Sequence, residues 1–175
     1  SDARKTVALK ALQNFKDRIS TGSAIPVTIV AEEGRLAPLL EKYVKRNEIE
    51  LVVMGITGST RLEQVIVGSN TLNVINKDIC PVLVVPPGAA YKKIEVAVFT
   101  TDLQNVEQAT PLNPLKNFLN TFQPKLYAVH VATEHAAVPE EYKVEKERLS
   151  ELLKEYHPTL YFLLEQDFTG AISKF

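Results

Sequence analysis

Several residue types are scarce in this chain of 175 residues, and each scarcity excludes a class of protein or a kind of site. There is one cysteine and no tryptophan, and no apolar stretch approaches the roughly 20 residues that a membrane-spanning helix needs. The lone Cys80 excludes an internal disulfide framework and a cysteine-based zinc cluster, so we expect a reducing cytoplasm and no membrane. A formal net charge of −1 excludes the basic surplus of a nucleic-acid binder.

The chain does contain short apolar runs that are rich in β-branched residues and mostly lack polar alternation. Such runs are typical of strands buried on both faces, and they occupy residues 26–30, 50–54, 81–85, 94–99, 126–131 and 159–164. Between them, apolar residues recur every three to four positions, which predicts amphipathic helices. Strands that alternate with helices predict an α/β fold, an open parallel sheet with helices on both faces.

The order of these elements indicates an internal repeat. When the sequence is laid over itself, residues 26–43 match residues 158–175 without a gap, with Pro26 on Pro158 and Lys42 on Lys174. A repeat of that period makes the chain about one and a third units long. The one credible linker between the units is Pro86-Pro87-Gly88, which interrupts the strand and helix pattern.

Three of the seven glycines lie in one short loop. Gly55 and Gly58 follow a predicted strand, and Gly68 precedes Ser69 at the start of a predicted helix. Unpaired N–H groups at a helix start, bared by small side chains, suit an anion such as phosphate. Ser69 either adds a hydroxyl to such a site or caps the helix. The other interpretation is that the glycines only make turns, since the spacing is neither a P-loop nor a G-x-G-x-x-G fingerprint.

The spacing G-x2-G-x9-G-S, preceded by "LVVM" and followed by "NTLNVINKDICPVLVV", resembles the nucleotide-binding segment of the universal stress protein family. Residues 91–102 and 126–131 resemble the first and second strands of another such domain. The resemblance implies that residues 1–88 are the C-terminal two-thirds of a first domain, and 89–175 the N-terminal two-thirds of a second. The implied fold is Rossmann-like, of the adenine nucleotide alpha hydrolase type.

The resemblance also implies a ligand. In ATP-binding members, the glycine loop holds the phosphates, while an acidic residue after the first strand and a His-Val step on the second hold ribose and adenine. When the positions of that family pattern are matched to this sequence, the resemblance implies the site residues Met54, Gly55, Gly58, Gly68, Ser69, Asn70, Asp102 and Val131. ATP is the expected ligand, with magnesium accompanying it. The chain departs from the family pattern around Asp102, where Thr100 replaces a common proline and Leu103-Gln104 replaces Phe-Ser.

Neither partial domain holds a whole site of its own. We therefore expect strands of the two halves, from the same chain or from a second one, to complete a five-stranded sheet in permuted order, and we expect a homodimer. Asp102 has a simpler alternative role in an Asx turn, and His130 is assigned a structural role in the wall of the sheet.

No general base, catalytic triad or metal site is evident in the sequence, so we do not predict an enzyme, and any ATP hydrolysis would be slow and incidental. We expect a nucleotide-binding regulatory domain of the stress response. The alternative is a scaffold domain of the same fold that binds no nucleotide and dimerises through the edge strand at 81–85.

Overall fold

The computed structural model describes residues 2–20, 22, 24–55, 68–132, 140–164 and 170. The chain divides into two compact units, residues 1–89 and 90–175. Every strand pair in either unit is parallel, and helices flank the strands. The predicted parallel α/β class is thus confirmed.

The first unit has three helices and two strands. In chain order these are α1 Asp2–Ile19, α2 Leu36–Asn47, β1 Val52–Gly55, α3 Ser69–Ile75 and β2 Val82–Val85. The strands run parallel, with Val52 opposite Val82 and Gly55 opposite Val85. Because parallel strands share their direction, both carboxyl ends lie at one edge of this small sheet.

The strand predicted at residues 26–30 is wrong. Residues 24–33 have no regular structure, and the side chains of Ile25 and Val30 are 72% and 46% exposed. A strand needs a neighbouring strand to pair with, and β1 and β2 pair with each other and not with this segment. The segment is held to α2 by Tyr43, whose hydroxyl donates to the Glu32 carboxylate at 2.6 Å; this bond raises the pKa of the phenol.

Burial in the first unit is sparse. Its buried residues within the described ranges are Val44, Val52, Thr71 and Val74. Helix α1 buries no side chain, and its apolar Phe15 and Ile19 are 56% and 47% exposed. The two strands therefore carry apolar surface that this unit alone covers only in part.

The second unit has three strands on which helices pack. Its elements are β3 Val96–Thr100, α4 Val106–Ala109, α5 Leu112–Phe122, β4 Lys125–Ala132, α6 Glu140–Leu152, a 3₁₀ turn Lys154–Tyr156 and β5 Thr159–Leu164. The strand order is β3-β4-β5. The five strands of the described residues thus form parallel sheets of two and three strands rather than one sheet of five, because hydrogen bonding joins each strand only to strands of its own unit.

A cluster of buried side chains lies on one face of the three-stranded sheet, and Val129 on the other face is buried as well. Side chains alternate along β4, so that Leu126 and Ala128 point to one face and Tyr127 and Val129 to the other. Leu126 and Ala128 belong to a cluster of buried side chains that α4, α5, α6 and the flanking turns complete, namely Leu103, Val106, Leu119, Leu126, Ala128, Leu149 and Leu153. The helices therefore cover the Leu126 face.

Replacement of Leu153 tests this core. Its side chain is 0% exposed, so Leu153→Ala leaves a cavity and should lower the free energy of unfolding of the second unit by about 2–5 kcal/mol. Val144→Ala on α6 is the control, since that side chain is 45% exposed and its loss should matter by less than about 0.5 kcal/mol. Guanidinium unfolding followed by circular dichroism measures both, and equal effects would contradict the assigned core.

Candidate functional site

The first part of the predicted site lies at the carboxyl end of β1. Met54 is half-buried opposite Val84, and Gly55 is exposed opposite Val85. A Cβ built on Gly55 meets no atom of the described residues within 4 Å, and Gly55 is not among the glycines with positive φ. The backbone here does not demand glycine for its conformation, and the main chain lies open to another molecule.

The start of α3 provides the second part. Gly68 is the N-cap, with extended φ and ψ of −62° and 151°, and Ser69 is the first helical residue. The alternative that Ser69 caps the helix is thus wrong, because the chain turns into the helix one residue earlier. The first N–H bonded inside the helix is that of Leu72, which donates to the Gly68 carbonyl at 3.0 Å.

The N–H groups of Ser69, Asn70 and Thr71, which precede Leu72, therefore have no acceptor within the helix. Ser69 and Asn70 are exposed, whereas Thr71 is buried. The exposed pair is the part of the helix start that an anion from solvent reaches. Gly58 lies outside the described residues.

In the second unit, Asp102 lies two residues after β3 in a tight turn. Its Oδ1 accepts the Gln104 N–H at 3.0 Å, and the Thr101 hydroxyl oxygen accepts the Leu103 N–H at 3.0 Å. The Asx turn expected as an alternative role for Asp102 is thus present. Asp102 remains exposed, and no second hydrogen bond to its carboxylate comes from the described ranges.

His130 on β4 holds this turn in place. The His130 Nδ1 lies 3.0 Å from the Thr101 carbonyl oxygen, which only accepts, so Nδ1 carries the proton and donates. The ring is 7% exposed and lies beside the rings of Tyr142 and Phe162, at centroid distances of 5.1 and 6.1 Å. Its Nε2 is buried without a hydrogen-bond partner among the described residues. His130 therefore has the structural role predicted for it.

Val131 lies beside the same turn. Thr100 is opposite Val129, so counting two residues further along both strands brings Asp102 level with Val131. The Val129 carbonyl accepts the Thr101 N–H at 3.1 Å, which shows that the main chain of Val129 faces β3. Main-chain groups alternate in direction along a strand, so those of Val131 face the same side, where β3 has already ended.

The structure thus gathers the predicted residues into two groups. Met54, Gly55, Gly68, Ser69 and Asn70 belong to the first unit, and Asp102 and Val131 to the second. Within the described residues no three His, Cys, Asp or Glu side chains come together as metal ligands would. Among the helices of those residues, none is long and apolar enough to cross a membrane.

The role of Glu145 was not predicted from the sequence, although this residue helps to hold the end of the turn in place. Its Oε2 accepts the Val106 N–H at 2.7 Å at the start of α4, and its other oxygen pairs with Arg148. The sequence presents residues 140–156 as the solvated face of a helix. Nothing local distinguishes Glu145 there, because its partner lies 39 residues away.

His130→Leu tests how the Asp102 turn is held. Loss of one hydrogen bond worth about 1 kcal/mol should open the turn more often and speed amide hydrogen exchange at Leu103 and Gln104 about fivefold. His130→Asn is the matched control, because its amide nitrogen can take the position of Nδ1 and keep the exchange slow. Exchange followed by NMR measures both, and identical rates in wild type and His130→Leu would contradict this role.

Comparison with known proteins bears on the first unit. Residues 1–86 match the model of the universal stress protein family. Over 53 residues the chain is 42% identical to the universal stress protein MJ0531 of Methanocaldococcus jannaschii, and this stretch covers 30% of the chain and 31% of that relative. The chain thus aligns with about a third of the length of the curated relative it matches. Residues 1–86 therefore belong to the universal stress protein family, which makes the first unit a domain of the stress-response class.

Proposed function

We propose that this protein is a nucleotide-binding regulatory domain of the stress response, with ATP as its ligand. The observation that carries the proposal is the family match over residues 1–86, because this range contains the whole glycine loop from Met54 to Asn70. The geometry at the two ends of that loop, and at the turn after β3, adds support that is independent of the match.

The phosphates bind at the first unit. Gly55 leaves its main chain open at the carboxyl end of β1, and the amides of Ser69 and Asn70 precede the first bonded turn of α3. Amides at a helix start carry partial positive charge and favour an anion. Magnesium enters with the nucleotide, held by its phosphates.

The second unit offers groups that suit a nucleoside. The exposed carboxylate of Asp102 accepts a ribose hydroxyl with the oxygen that its Asx turn leaves free, and a hydrogen bond to a charged acceptor is stronger than one between neutral groups. The main chain of Val131 faces the space beyond the end of β3, where its N–H and C=O suit the edge of an adenine ring.

The bound nucleotide acts by shifting the population of conformations. The phosphates of ATP favour one packing of the glycine loop against the start of α3, and a partner protein binds that conformation. The proposal includes a cytoplasmic location, supported by the single free Cys80, and it includes no catalytic step.

Calorimetric titration with ATP and ADP tests the proposal. Gly55→Ala should keep the fold, since its Cβ has open space, yet weaken ATP binding at least about tenfold by filling the approach to the main chain. Asp102→Asn keeps the Asx acceptor but removes the charge, and should weaken binding by about the same factor.

Two further variants complete the titration. Asp78→Asn removes one negative charge at an exposed turn and should leave affinity unchanged. Gly68→Arg should block the phosphate end. If wild type binds ATP no better than Gly68→Arg, the scaffold function without nucleotide replaces this proposal.

A further inference from the structure

The longest exposed run of the described residues lies where the first unit ends and the second begins. Residues 86–93 are eight consecutive exposed residues, and the side chain of Tyr91 is 83% exposed. The boundary of the compact units, at residues 89 and 90, falls inside this run. Exposed, irregular connections of this kind are the preferred sites of proteolytic cleavage.

The backbone of this segment is fixed at both ends and open in between. At its start the Ala89 N–H donates to the Pro86 carbonyl at 3.2 Å, in a turn where Gly88 has a positive φ of 75°. At its end the Glu95 carbonyl accepts an N–H of β4 at 2.8 Å. Between these bonds, residues 90–94 form no main-chain hydrogen bond with any described residue, and none of them has a positive φ. The segment is therefore free to take the extended conformation in which proteases bind their substrates.

The segment also contains two lysines that differ from the other basic residues of the chain. In the described ranges, the basic residues outside helices, strands and the 3₁₀ turn are Arg35, Lys77, Lys92 and Lys93. The Arg35 carbonyl accepts an N–H of α2 at 3.3 Å, so its peptide bond already belongs to the helix start. Lys77 donates its N–H within the turn that ends α3, and its ammonium lies 3.7 Å from the Glu41 carboxylate. Within those ranges Lys92 and Lys93 have neither a main-chain bond nor an ion pair.

We propose that this segment is a processing site, at which an endoprotease with an acidic specificity pocket hydrolyses the bond between Lys92 and Lys93. A carboxylate in such a pocket pairs with the ammonium of the residue before the cut, as in trypsin. Water adds across the peptide bond, so that Lys92 gains a carboxylate and Lys93 gains an amino group. The protease supplies the catalytic groups, and this chain is its substrate.

The bond after Lys92 is more accessible than the bond after Lys93. Residues 89–92 are all exposed before the first bond, and the exposed Lys93 follows it directly. The second bond is followed by Ile94, which is half-buried, and then by Glu95, whose carbonyl is already bonded to β4. A protease that binds residues on both sides of the cut therefore meets less hindrance at Lys92.

This cut unlinks the two units without breaking either sheet. The strands β1 and β2 lie in the fragment 1–92, and β3, β4 and β5 lie in the fragment 93–175. Every strand pair of the described residues is thus retained within one fragment. Processing releases the universal stress protein unit from the covalent link to the second unit, and it does not depend on the binding of a nucleotide.

Limited digestion of the full chain with trypsin, followed by intact-mass spectrometry, tests the site. The fragments 1–92 and 93–175 should be the first products. Lys92→Gln should move the cut to the bond after Lys93 and slow it at least about tenfold, and the double variant Lys92→Gln, Lys93→Gln should lose cleavage in this segment at least about a hundredfold. Lys77→Gln is the matched control, because it removes an exposed lysine from a hydrogen-bonded turn, and it should be cut as fast as wild type.

Lys93→Pro is a second variant that keeps the lysine before the cut. It replaces the N–H of the scissile bond with a proline ring, which should lower cleavage after Lys92 as far as the double variant does. No described residue accepts a hydrogen bond from the Lys93 N–H, so the fold should be retained and circular dichroism should match wild type.

A destabilised variant distinguishes cleavage of the native segment from cleavage after unfolding. Leu153→Ala should speed any cut that waits for the second unit to open, and it should leave the rate of the cut after Lys92 unchanged. Three results overturn the proposal: a first cut after any other lysine or arginine, equal cleavage of wild type and the double variant, or acceleration of the Lys92 cut by Leu153→Ala.

Discussion

Parallel pairing of strands is the constraint on which the rest of this structure depends. It aligns the carboxyl ends of neighbouring strands, so Gly55 lies at the same edge as the end of β2, and the Asp102 turn at the same edge as Val131. Parallel sheets are also usually covered on both faces, whereas in the first unit Val53 is 60% exposed on the face opposite the buried Val52. The location of the candidate site and the exposed apolar face of the first unit thus both follow from the parallel arrangement.

The turn after β3 shows how a short segment is held without glycine. Side-chain oxygens of Thr101 and Asp102 accept amides inside the turn, and His130 donates to its carbonyl from the neighbouring strand. Glu145 accepts the Val106 amide where the turn leads into α4. Each bond contributes on the order of 1–2 kcal/mol, so the turn is stabilised by several modest interactions rather than by one. The carboxylate of Asp102 is consequently presented at a fixed place.

The sequence predicted most of the elements because their signals are local. Five of the six apolar runs form strands at the expected places, and helices occupy the periodic segments between them. The run at 26–30 has the same local signal and yet remains irregular, since pairing depends on a neighbour that local pattern does not reveal. The parallel α/β class was therefore predictable, whereas the division of the strands between two sheets was not.

The candidate site was predictable to a similar extent. The glycine positions and Asp102 could be selected by spacing and resemblance, but the bonds that fix them were invisible. Glu145 reaches Val106 across 39 residues of sequence, and the tie between His130 and Thr101 depends on the register of β3 and β4. Such contacts follow from tertiary packing, and a linear pattern carries no signal for them.

Leu103 links the ligand turn to the core in a further way. Its φ of 55° is a left-handed conformation that costs an ordinary side chain about 1–2 kcal/mol, and its side chain is only 2% exposed. The backbone keeps this unfavourable twist because burial of the leucine among the core side chains outweighs the cost. The conformation of the turn therefore depends on the packing of Leu103 in the core. A substitution that loosens this packing should let the backbone relax and displace the neighbouring Asp102 carboxylate.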